Sequence, residues 1–268
     1  MRHPLSEAEP ASKTPRPVRV RPVPAVTRSI AILRLLGTRK RGLGVKAIAD
    51  ERGLVPSSCL HILRVLVAEN LVRQEPATKL YTLASGMVSL ARSVLEGESF
   101  ATVAQAGLDR LVGGRSMTAM GTEVTPRGTI LVLAVARPDR PLQLHADVGS
   151  EFPGLTSATG RLVAAFGDQR EAALRRLFPA IPWDRPPTVE DWLAEVEQAR
   201  LQGWTVDRDR FKNGITSYAV PVLSRSGAMT HSLVAMGLSV EMGGLDAGAL
   251  VQDMRREAAA IAAELNPS

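Results

Sequence analysis

The hydrophobic positions in the first third of the chain repeat with the period of a helix. Apolar side chains at Ile30, Leu33 and Leu36 predict a helix of about three turns that ends at Gly37. A shorter helix in VKAIADERG ends at Gly53, and a three-residue turn leads into PSSCLHILRVLVAE, whose proline suits the first turn of a third helix. The segment LVRQEPATKLYTLA places two short apolar stretches around a polar turn, which predicts a β-hairpin. This order of elements is typical of a winged helix-turn-helix, and we assign it to residues 26–84.

The remainder of the chain mixes strand and helix patterns. SGMVSLARSVLEGESF predicts a linker helix at residues 85–96. Beyond it, strand patterns come in two groups, with helical segments between them and at both ends: SMTAMGTEV, GTILVLAVA and LQLHADVG, then WTVD, TSYAVPVLS and HSLVAMGLSVE. Helices that flank an antiparallel sheet give an α+β domain, which we assign to residues 97–268.

Charge is divided unevenly between these parts. Residues 1–83 hold 15 basic and 6 acidic side chains, a balance of +9, whereas residues 84–268 hold 18 and 21, a balance of −3. The first 25 residues contain six prolines and predict a disordered basic arm, but residues 1–28 supply only +4 of the excess. A basic module that meets a polyanion is therefore expected. Double-stranded DNA is favoured over a membrane surface because no basic amphipathic helix carries aromatic residues.

The third helix has two different sides. Cys59, Ile62, Leu63 and Leu66 fall on one side at spacings of three and four, and predict the core of a small domain. The other side carries polar side chains near the amino end: Ser57, Ser58, His61 and Arg64. Such residues could simply face solvent. The preceding helix, the tight turn, the hairpin and the net +5 of residues 29–83 favour a recognition helix in the major groove.

Several motifs in order resemble one known family. The stretch from SIAILRLL through LGVKAIADERGLVPSSCLHILRVLVAENLVRQEPATKLYTLASGMVSLA resembles the DNA-binding region of the IclR family of bacterial transcriptional regulators. FPGLTSATGRLVAAF and GWTVDRDRFKNGITSYAVPVLSRSGAM resemble later segments of that family, so the resemblance covers about residues 26–265. It implies a winged helix that binds DNA and a carboxyl-terminal domain, related to the GAF and PAS folds, that senses a small molecule, often an organic acid. It also implies a homodimer or homotetramer.

The chain departs from the usual family pattern at four positions. His61 stands where an arginine is usual, and Leu60 where an aromatic residue or histidine is frequent. Arg210 replaces a usual acidic residue, and Ser217 stands where cysteine is common. A base preference different from that of other members is expected.

The candidate DNA contacts divide by chemistry. Ser57, Ser58 and His61 are expected to read bases. Arg64, Arg73 and Lys79 are expected to hold phosphates, with Arg28 and the basic arm assisting non-specifically. Two winged helices in a dimer would occupy successive major grooves, so a near-palindromic operator is expected.

The candidate effector contacts surround a predicted helix start. GLTSATGR places Thr156, Ser157 and Thr159 where free backbone amides and hydroxyls could receive a carboxylate, with Thr156 or Ser157 as the helix cap. Hydroxyls that merely cap the helix are the alternative. Ser217 alternates with Tyr218 along a strand, so one of the two is expected to face the covered side of the sheet. Asp207 and Asp209 could line the mouth of the pocket or belong to a solvated loop.

Catalytic chemistry finds little support in the sequence. The four histidines are scattered, and no phosphate loop, GxSxG or HExxH motif is present. Cys59 lies on an apolar helix face and is expected to be a buried thiol. We therefore expect no enzyme activity, no cofactor, no metal and a cytoplasmic location, since no secretory or membrane-spanning pattern occurs. The alternatives are an architectural DNA binder without a ligand, or a hydrolase or transferase joined to a basic assembly module.

Overall fold

The computed structural model describes residues 23–39, 41–95, 100–139 and 146–266, without the side chains of 93–95. Most of the predicted basic arm, residues 1–22, and the stretch 140–145 lie outside the described residues. The chain divides into a first unit, Met1–Arg92, and a second unit, Ser93–Ser268. The finer boundaries at residues 26, 84 and 96 stay predictions.

The first unit has the predicted order of elements. They are α1 (Pro24–Gly37), α2 (Val45–Arg52), α3 (Pro56–Ala68), β1 (Val72–Gln74) and β2 (Tyr81–Leu83), followed by α4 (Gly86–Leu95), which begins in this unit and ends three residues after its last residue, Arg92. The antiparallel hairpin aligns Arg73 with Thr82, and Leu43 adds a bridge to Tyr81. Burial of Ile32, Ile48 and Leu63 joins the three helices in one small core.

A glycine sets the turn between α2 and α3. Gly53 has a φ of +61°, a left-handed conformation that glycine adopts without the steric penalty of a Cβ. The amide of Leu54 then donates to the carbonyl of Ala49, which closes the end of α2. Gly53 therefore permits the tight turn between α2 and α3.

The second unit is an antiparallel sheet with helices on both faces. Its elements are α5 (Phe100–Val112), β3 (Thr118–Val124), β4 (Thr129–Ala136), β5 (Glu151–Pro153), α6 (Ser157–Phe166), α7 (Glu171–Leu177), α8 (Val189–Gln202), β6 (Thr205–Arg208), β7 (Ile215–Leu223), β8 (Met229–Leu238), α9 (Ser239–Gly243) and α10 (Ala247–Leu265). The strand order is β5-β4-β3-β8-β7-β6. Helices α5 and α10 cover one face, and α6 and α8 pack on the other. The predicted α+β class is confirmed.

Coverage of both faces corrects one expectation. Ser217 and Tyr218 point to opposite faces of β7, yet both are buried, because each face has its own helical layer. Tyr218 belongs to the core under α5 and α10, whereas Ser217 faces the α6 side. Strand alternation alone could not show that the second face was covered.

Two strand predictions were wrong in detail. Residues 142–145 of LQLHADVG lie outside the described residues, residues 146–149 form no strand, and an edge strand of the sheet is β5 at Glu151–Pro153. The predicted strand HSLVAMGLSVE stops at Leu238, and Ser239 begins the short helix α9. Among the described residues, no helix combines the length and the apolar character that a membrane crossing requires.

Candidate functional site

The predicted recognition residues lie on the open side of α3. Ser57, His61 and Arg64 are exposed and Ser58 is half-buried, whereas Cys59, Leu63 and Leu66 face the core. Steps of four and three residues place Ser57, His61 and Arg64 on one stripe of the helix. We call these four polar residues, Ser57, Ser58, His61 and Arg64, the α3 face.

The amino end of α3 carries free backbone donors. Val55 is the cap residue but offers no side-chain oxygen, and Pro56 occupies the first turn without an N–H group. Cys59 donates to the carbonyl of Val55, so the amides of Ser57 and Ser58 precede the first helical hydrogen bond. An exposed helix end of this kind attracts an anion such as a phosphate.

The hairpin and α1 supply further exposed cations. The Nε atom of Arg73 donates to Oγ1 of Thr82 at 3.0 Å, which holds the guanidinium across the hairpin. Lys79 lies in the hairpin turn with a φ of +58°, and Arg28 is exposed on α1. Among the described residues, neither Lys79 nor Arg73 forms an ion pair, so both charges are available to a polyanion.

Cys59 has no free thiol surface. The side chain is fully buried in the core of the first unit, and its Sγ atom lies 3.9 Å from the carbonyl oxygen of Val45. Burial raises the pKa of the thiol above its usual value, because the thiolate would lose its hydration. The expectation of a buried thiol is confirmed.

The predicted effector residues meet at one cavity in the second unit. This cavity, which we call the α6 cavity, has a volume of about 390 Å³. All five predicted residues line it: Thr156, Ser157, Thr159, Asp207 and Ser217. Its other walls are mostly apolar, with Met120, Val132, Phe152, Val234 and Met236 among them. A concave, largely apolar space with a few polar groups is the usual form of a small-molecule site.

The start of α6 leaves backbone amides without partners. Thr156 is the cap residue, but its hydroxyl donates to the carbonyl of Pro153 at 2.7 Å and does not cap the helix, contrary to the expectation for Thr156 or Ser157. Gly160 makes the first helical hydrogen bond, to the carbonyl of Thr156. The amides of Ser157 and Thr159 are therefore free to bind a ligand at the wall of the α6 cavity.

Two backbone features fix this helix start. Ser157 has a φ of +56°, an uncommon conformation for a residue with a side chain. A Cβ at Gly160 would overlap the carbonyl carbon of Leu155, so only glycine allows α6 to begin so close to the preceding turn.

A buried arginine that sequence reasoning missed supports the cavity wall. Arg161 is 1% exposed, and its Nη1 atom donates to Oδ2 of Asp207 and to the carbonyl of Ser157, both at 2.9 Å. Its Nε atom donates to Oε2 of Glu195 at 2.6 Å. The other oxygen of Asp207 accepts from the amide of Phe211 at 3.0 Å. Asp207 is thus a fixed and compensated carboxylate in the α6 cavity, not part of a solvated loop.

In the loop after β6, the charged residue that lines the α6 cavity is Lys212 and not the predicted Asp209. Asp209 accepts from the amide of Gly214 and from the hydroxyl of Ser239, and it does not line the α6 cavity. Lys212 does line it, but its Nζ atom is 2.9 Å from Oδ1 of Asp184. The hydrogen bond from Lys212, with one from the amide of Asn213, holds the pKa of Asp184 below its usual value.

The described residues hold no cluster of side chains suited to a metal ion. In the part of the chain that the structure describes, no group of three or more histidine, cysteine, aspartate or glutamate side chains is arranged to hold a metal ion.

Comparison with known proteins gives consistent matches to both units. Residues 25–76 match the profile described as the IclR helix-turn-helix domain, and residues 93–263 match that of the bacterial transcriptional regulator IclR C-terminal domain. The chain is 29% identical over 248 residues to the glycerol operon regulatory protein of Streptomyces griseus, covering 91% of this chain and 97% of that protein.

Solved structures share the fold. An IclR transcriptional regulator from Alicyclobacillus acidocaldarius matches with a TM-score of 0.80 and 23% identity, covering 91% of this chain and 99% of that one. An IclR homologue from Microbacterium hydrocarbonoxydans, crystallised with 4-hydroxybenzoate, matches with a TM-score of 0.74 and 18% identity, covering 91% and 100%.

Proposed function

Because the chain belongs to the IclR family of bacterial transcriptional regulators, we propose that a small organic acid in the α6 cavity controls its affinity for an operator. The observation that carries this proposal is the composition of that cavity, which combines free amides and hydroxyls at the start of α6 with apolar walls. A ligand changes DNA affinity only if it binds the two arrangements of the protein unequally. A cytoplasmic location, where the chromosome lies, is part of the proposal.

The α3 face reads the operator. Ser57, Ser58 and His61 contact base edges, because serine donates or accepts and histidine donates to purine acceptors. Arg64 and the two cations of the hairpin, Arg73 and Lys79, contact phosphates, and Arg28 with the basic arm adds sequence-independent attraction. The free amides at the amino end of α3 support a further phosphate contact.

Two substitutions separate base reading from phosphate binding. The operator is selected from a pool of randomised duplexes, and affinities for it and for an unrelated duplex are measured by fluorescence anisotropy at several salt concentrations. His61→Ala should lose about 1–3 kcal/mol of discrimination between the two duplexes. Lys79→Ala should weaken binding to both and reduce the salt slope by about one.

Arg176→Ala, which removes an exposed charge from the second unit, is the matched control. Its affinity and salt slope should equal those of the natural chain. Unchanged operator binding in both His61→Ala and Lys79→Ala would remove α3 and the hairpin from the DNA interface.

The acid binds with its carboxylate at the start of α6. The amides of Ser157 and Thr159 and the hydroxyl of Ser217 serve as donors, and the apolar walls hold the body of the ligand. Asp207 is already paired through both oxygens, and its remaining lone pairs can accept a hydrogen bond from a ligand hydroxyl. The structural relative crystallised with 4-hydroxybenzoate supports an acid that also carries a hydroxyl.

A matched ligand series tests the acid. Thermal unfolding is followed with 4-hydroxybenzoate, its uncharged amide, benzoate and glycerol 3-phosphate, the last because a relative is named for a glycerol operon. The acid should raise the melting temperature by an amount that grows with the logarithm of its concentration above the Kd, and the amide should raise it much less. Stabilisation by glycerol 3-phosphate alone would replace the organic acid with a phosphorylated polyol. An architectural DNA binder would respond to none, and product formation would indicate an enzyme.

A homodimer is the assembly that the first unit supports. Val26 and Ile30 are one turn apart on α1 and are 55% and 42% exposed, and Val88 on α4 is 69% exposed. Exposed apolar helix faces suit a second copy of the chain, which would place two α3 helices on a near-palindromic operator. Light scattering should show a dimer or tetramer for the natural chain and a smaller species for Ile30→Glu. Val240→Glu, at a 91% exposed position of the second unit, should leave the mass unchanged.

A further inference from the structure

The wall of the α6 cavity contains one threonine that the proposed ligand contacts leave unused. Thr122 lies on β3 and lines the cavity, although it is only 2% exposed. Its neighbours on this part of the wall are apolar, with Met120, Val132 and Val234 among them. A hydroxyl in apolar surroundings is unfavourable unless its hydrogen bonds are satisfied. The partners of this hydroxyl therefore decide its role.

Thr122 shares a hydrogen bond with Ser232 on the neighbouring strand. The two residues are register partners of β3 and β8, and the Oγ1 atom of Thr122 is 2.7 Å from the Oγ atom of Ser232. Ser232 is fully buried and does not line the α6 cavity. Among the described residues, neither hydroxyl has another hydrogen-bond partner. Because two hydroxyls carry two protons and this bond uses one, one proton is left without an acceptor.

The positions of the two hydroxyls decide which proton is left. If Thr122 donated to Ser232, the proton of Ser232 would remain in the closed core, where a donor without an acceptor is unfavourable. If Ser232 donates, the remaining proton belongs to Thr122 at the wall of the α6 cavity, where a ligand can accept it. This second arrangement also strengthens Thr122 as a donor, because its oxygen already accepts a hydrogen bond.

Thr122 is distant from the hydroxyl of Ser217, which belongs to the proposed carboxylate site. Ser217 on β7 aligns with Met236 on β8. Met236 aligns in turn with Thr118 on β3, which precedes Thr122 by four residues. Thr122 is therefore two strands, about 10 Å, across the sheet from Ser217 and about 13 Å along it. Val234 lies midway between them, so the cavity wall that separates the two hydroxyls is apolar.

We propose that Thr122 donates a hydrogen bond to an oxygen at the far end of the ligand. The ligand is then an acid with an apolar body and a distal oxygen acceptor, such as a carbonyl, ether or hydroxyl oxygen. This inference rests on the proposed binding of a carboxylate at the start of α6. An analogue without the distal oxygen is disfavoured, because it leaves the proton of Thr122 without an acceptor.

Two matched pairs of acids test the contact by calorimetric titration of the full chain. 4-Acetylbenzoate and 4-isopropylbenzoate form a rigid pair, and 7-oxooctanoate and 7-methyloctanoate form a flexible one. In each pair a methyl group replaces the carbonyl oxygen. In at least one pair the oxo acid should bind more tightly by about fivefold or more. Thr122→Val keeps the shape of the side chain and should abolish this preference, with little change in affinity for the methyl analogue.

Two control variants separate the contact from a structural role of the hydroxyl pair. Ser232→Ala removes the inner hydroxyl but leaves the proton of Thr122, so the preference for the oxo acid should persist. Thr216→Val removes another buried threonine hydroxyl, which is paired with Ser239 and does not line the α6 cavity, and should also leave the preference unchanged. If Thr122→Val fails to fold in thermal melts, its combination with Ser232→Ala replaces it, because no hydroxyl of the pair then remains.

The outcomes separate this contact from the acid site itself. Equal affinities within both pairs, or a preference that survives Thr122→Val, would overturn the role of Thr122 and leave the carboxylate site in place. A loss of preference in Ser232→Ala or Thr216→Val as large as that in Thr122→Val would indicate a packing effect and would also overturn it. Absence of binding by all four acids would remove the organic acid from the α6 cavity, and this inference with it.

Discussion

Replacement of Arg161 by methionine should destabilise the second unit strongly. The side chain is 1% exposed and makes hydrogen bonds to two carboxylates and one carbonyl. Methionine fills similar space but leaves Asp207, itself 2% exposed, with only the amide of Phe211 as a partner. Removal of one member of a buried ion pair is unfavourable by about 3–5 kcal/mol. For a domain of this size, each kcal/mol lowers the melting temperature by about 2–4 °C.

The pairing with Asp207 is isolated by a double-mutant cycle. Asp207→Asn removes the buried negative charge and should lower stability by about 1–3 kcal/mol, since Arg161 keeps Glu195. In the double variant neither charge is left uncompensated. Its loss should therefore be smaller than the sum of the single losses by about 1–3 kcal/mol.

Urea unfolding followed by tryptophan fluorescence measures these values. All three tryptophans, Trp183, Trp192 and Trp204, lie in the second unit, so the signal does not report on the first. Arg175→Met is the matched control, because Arg175 also pairs with two carboxylates but is 43% exposed. Its loss should stay below about 1 kcal/mol. If Arg161→Met were no worse than this control, or if the cycle were additive, the buried network would not stabilise the domain.

Three further predictions concern other parts of the fold. The ring of His231 stacks on Phe100, and desolvation by burial lowers the pKa of His231 to about 4. The folded state therefore resists protonation of this side chain. The free energy of unfolding should fall as the pH drops from about 6.5 towards 4. In urea titrations over this range, His231→Phe should lose less free energy of unfolding than the natural chain. Gly160→Ala, whose Cβ overlaps Leu155, should cost at least about 2 kcal/mol and abolish ligand-induced thermal shifts. Leu63→Ala should destabilise the first unit by about 2–5 kcal/mol in hydrogen exchange, whereas a comparable exposed substitution should change little.

The first unit was predictable because its signals are local. Helix periodicity, the glycine at position 53 and the proline at position 56 each specify the backbone within a few residues. The hairpin was likewise predictable, because a polar turn separates two apolar stretches. The sequence pattern therefore predicts the helices and strands of the first unit in the order that the structure has.

In the second unit, the features that depend on contacts between residues distant in sequence could not be predicted. Arg161 lies within a run of small and apolar residues, and its two carboxylate partners are 34 and 46 positions away. Nothing near it in sequence indicates that it is buried. The strand β5 has three residues and ends in proline, so it carries too little pattern to be recognised. The residues that line a cavity are set by packing and cannot in general be read from the sequence. The wall at the start of α6 was an exception, because its serine and threonine residues indicated a binding site.

The left-handed backbone of Ser157 has a consequence for any attempt to raise the thermal stability of this protein. A serine in this conformation is less favourable than a glycine by about 1 kcal/mol, so the chain tolerates a local weakness at the place where its amide and hydroxyl meet the cavity. Selection for heat resistance alone should therefore recover Ser157→Gly. Such a variant should unfold at a higher temperature, and the α6 cavity would lose the hydroxyl of Ser157 from its wall.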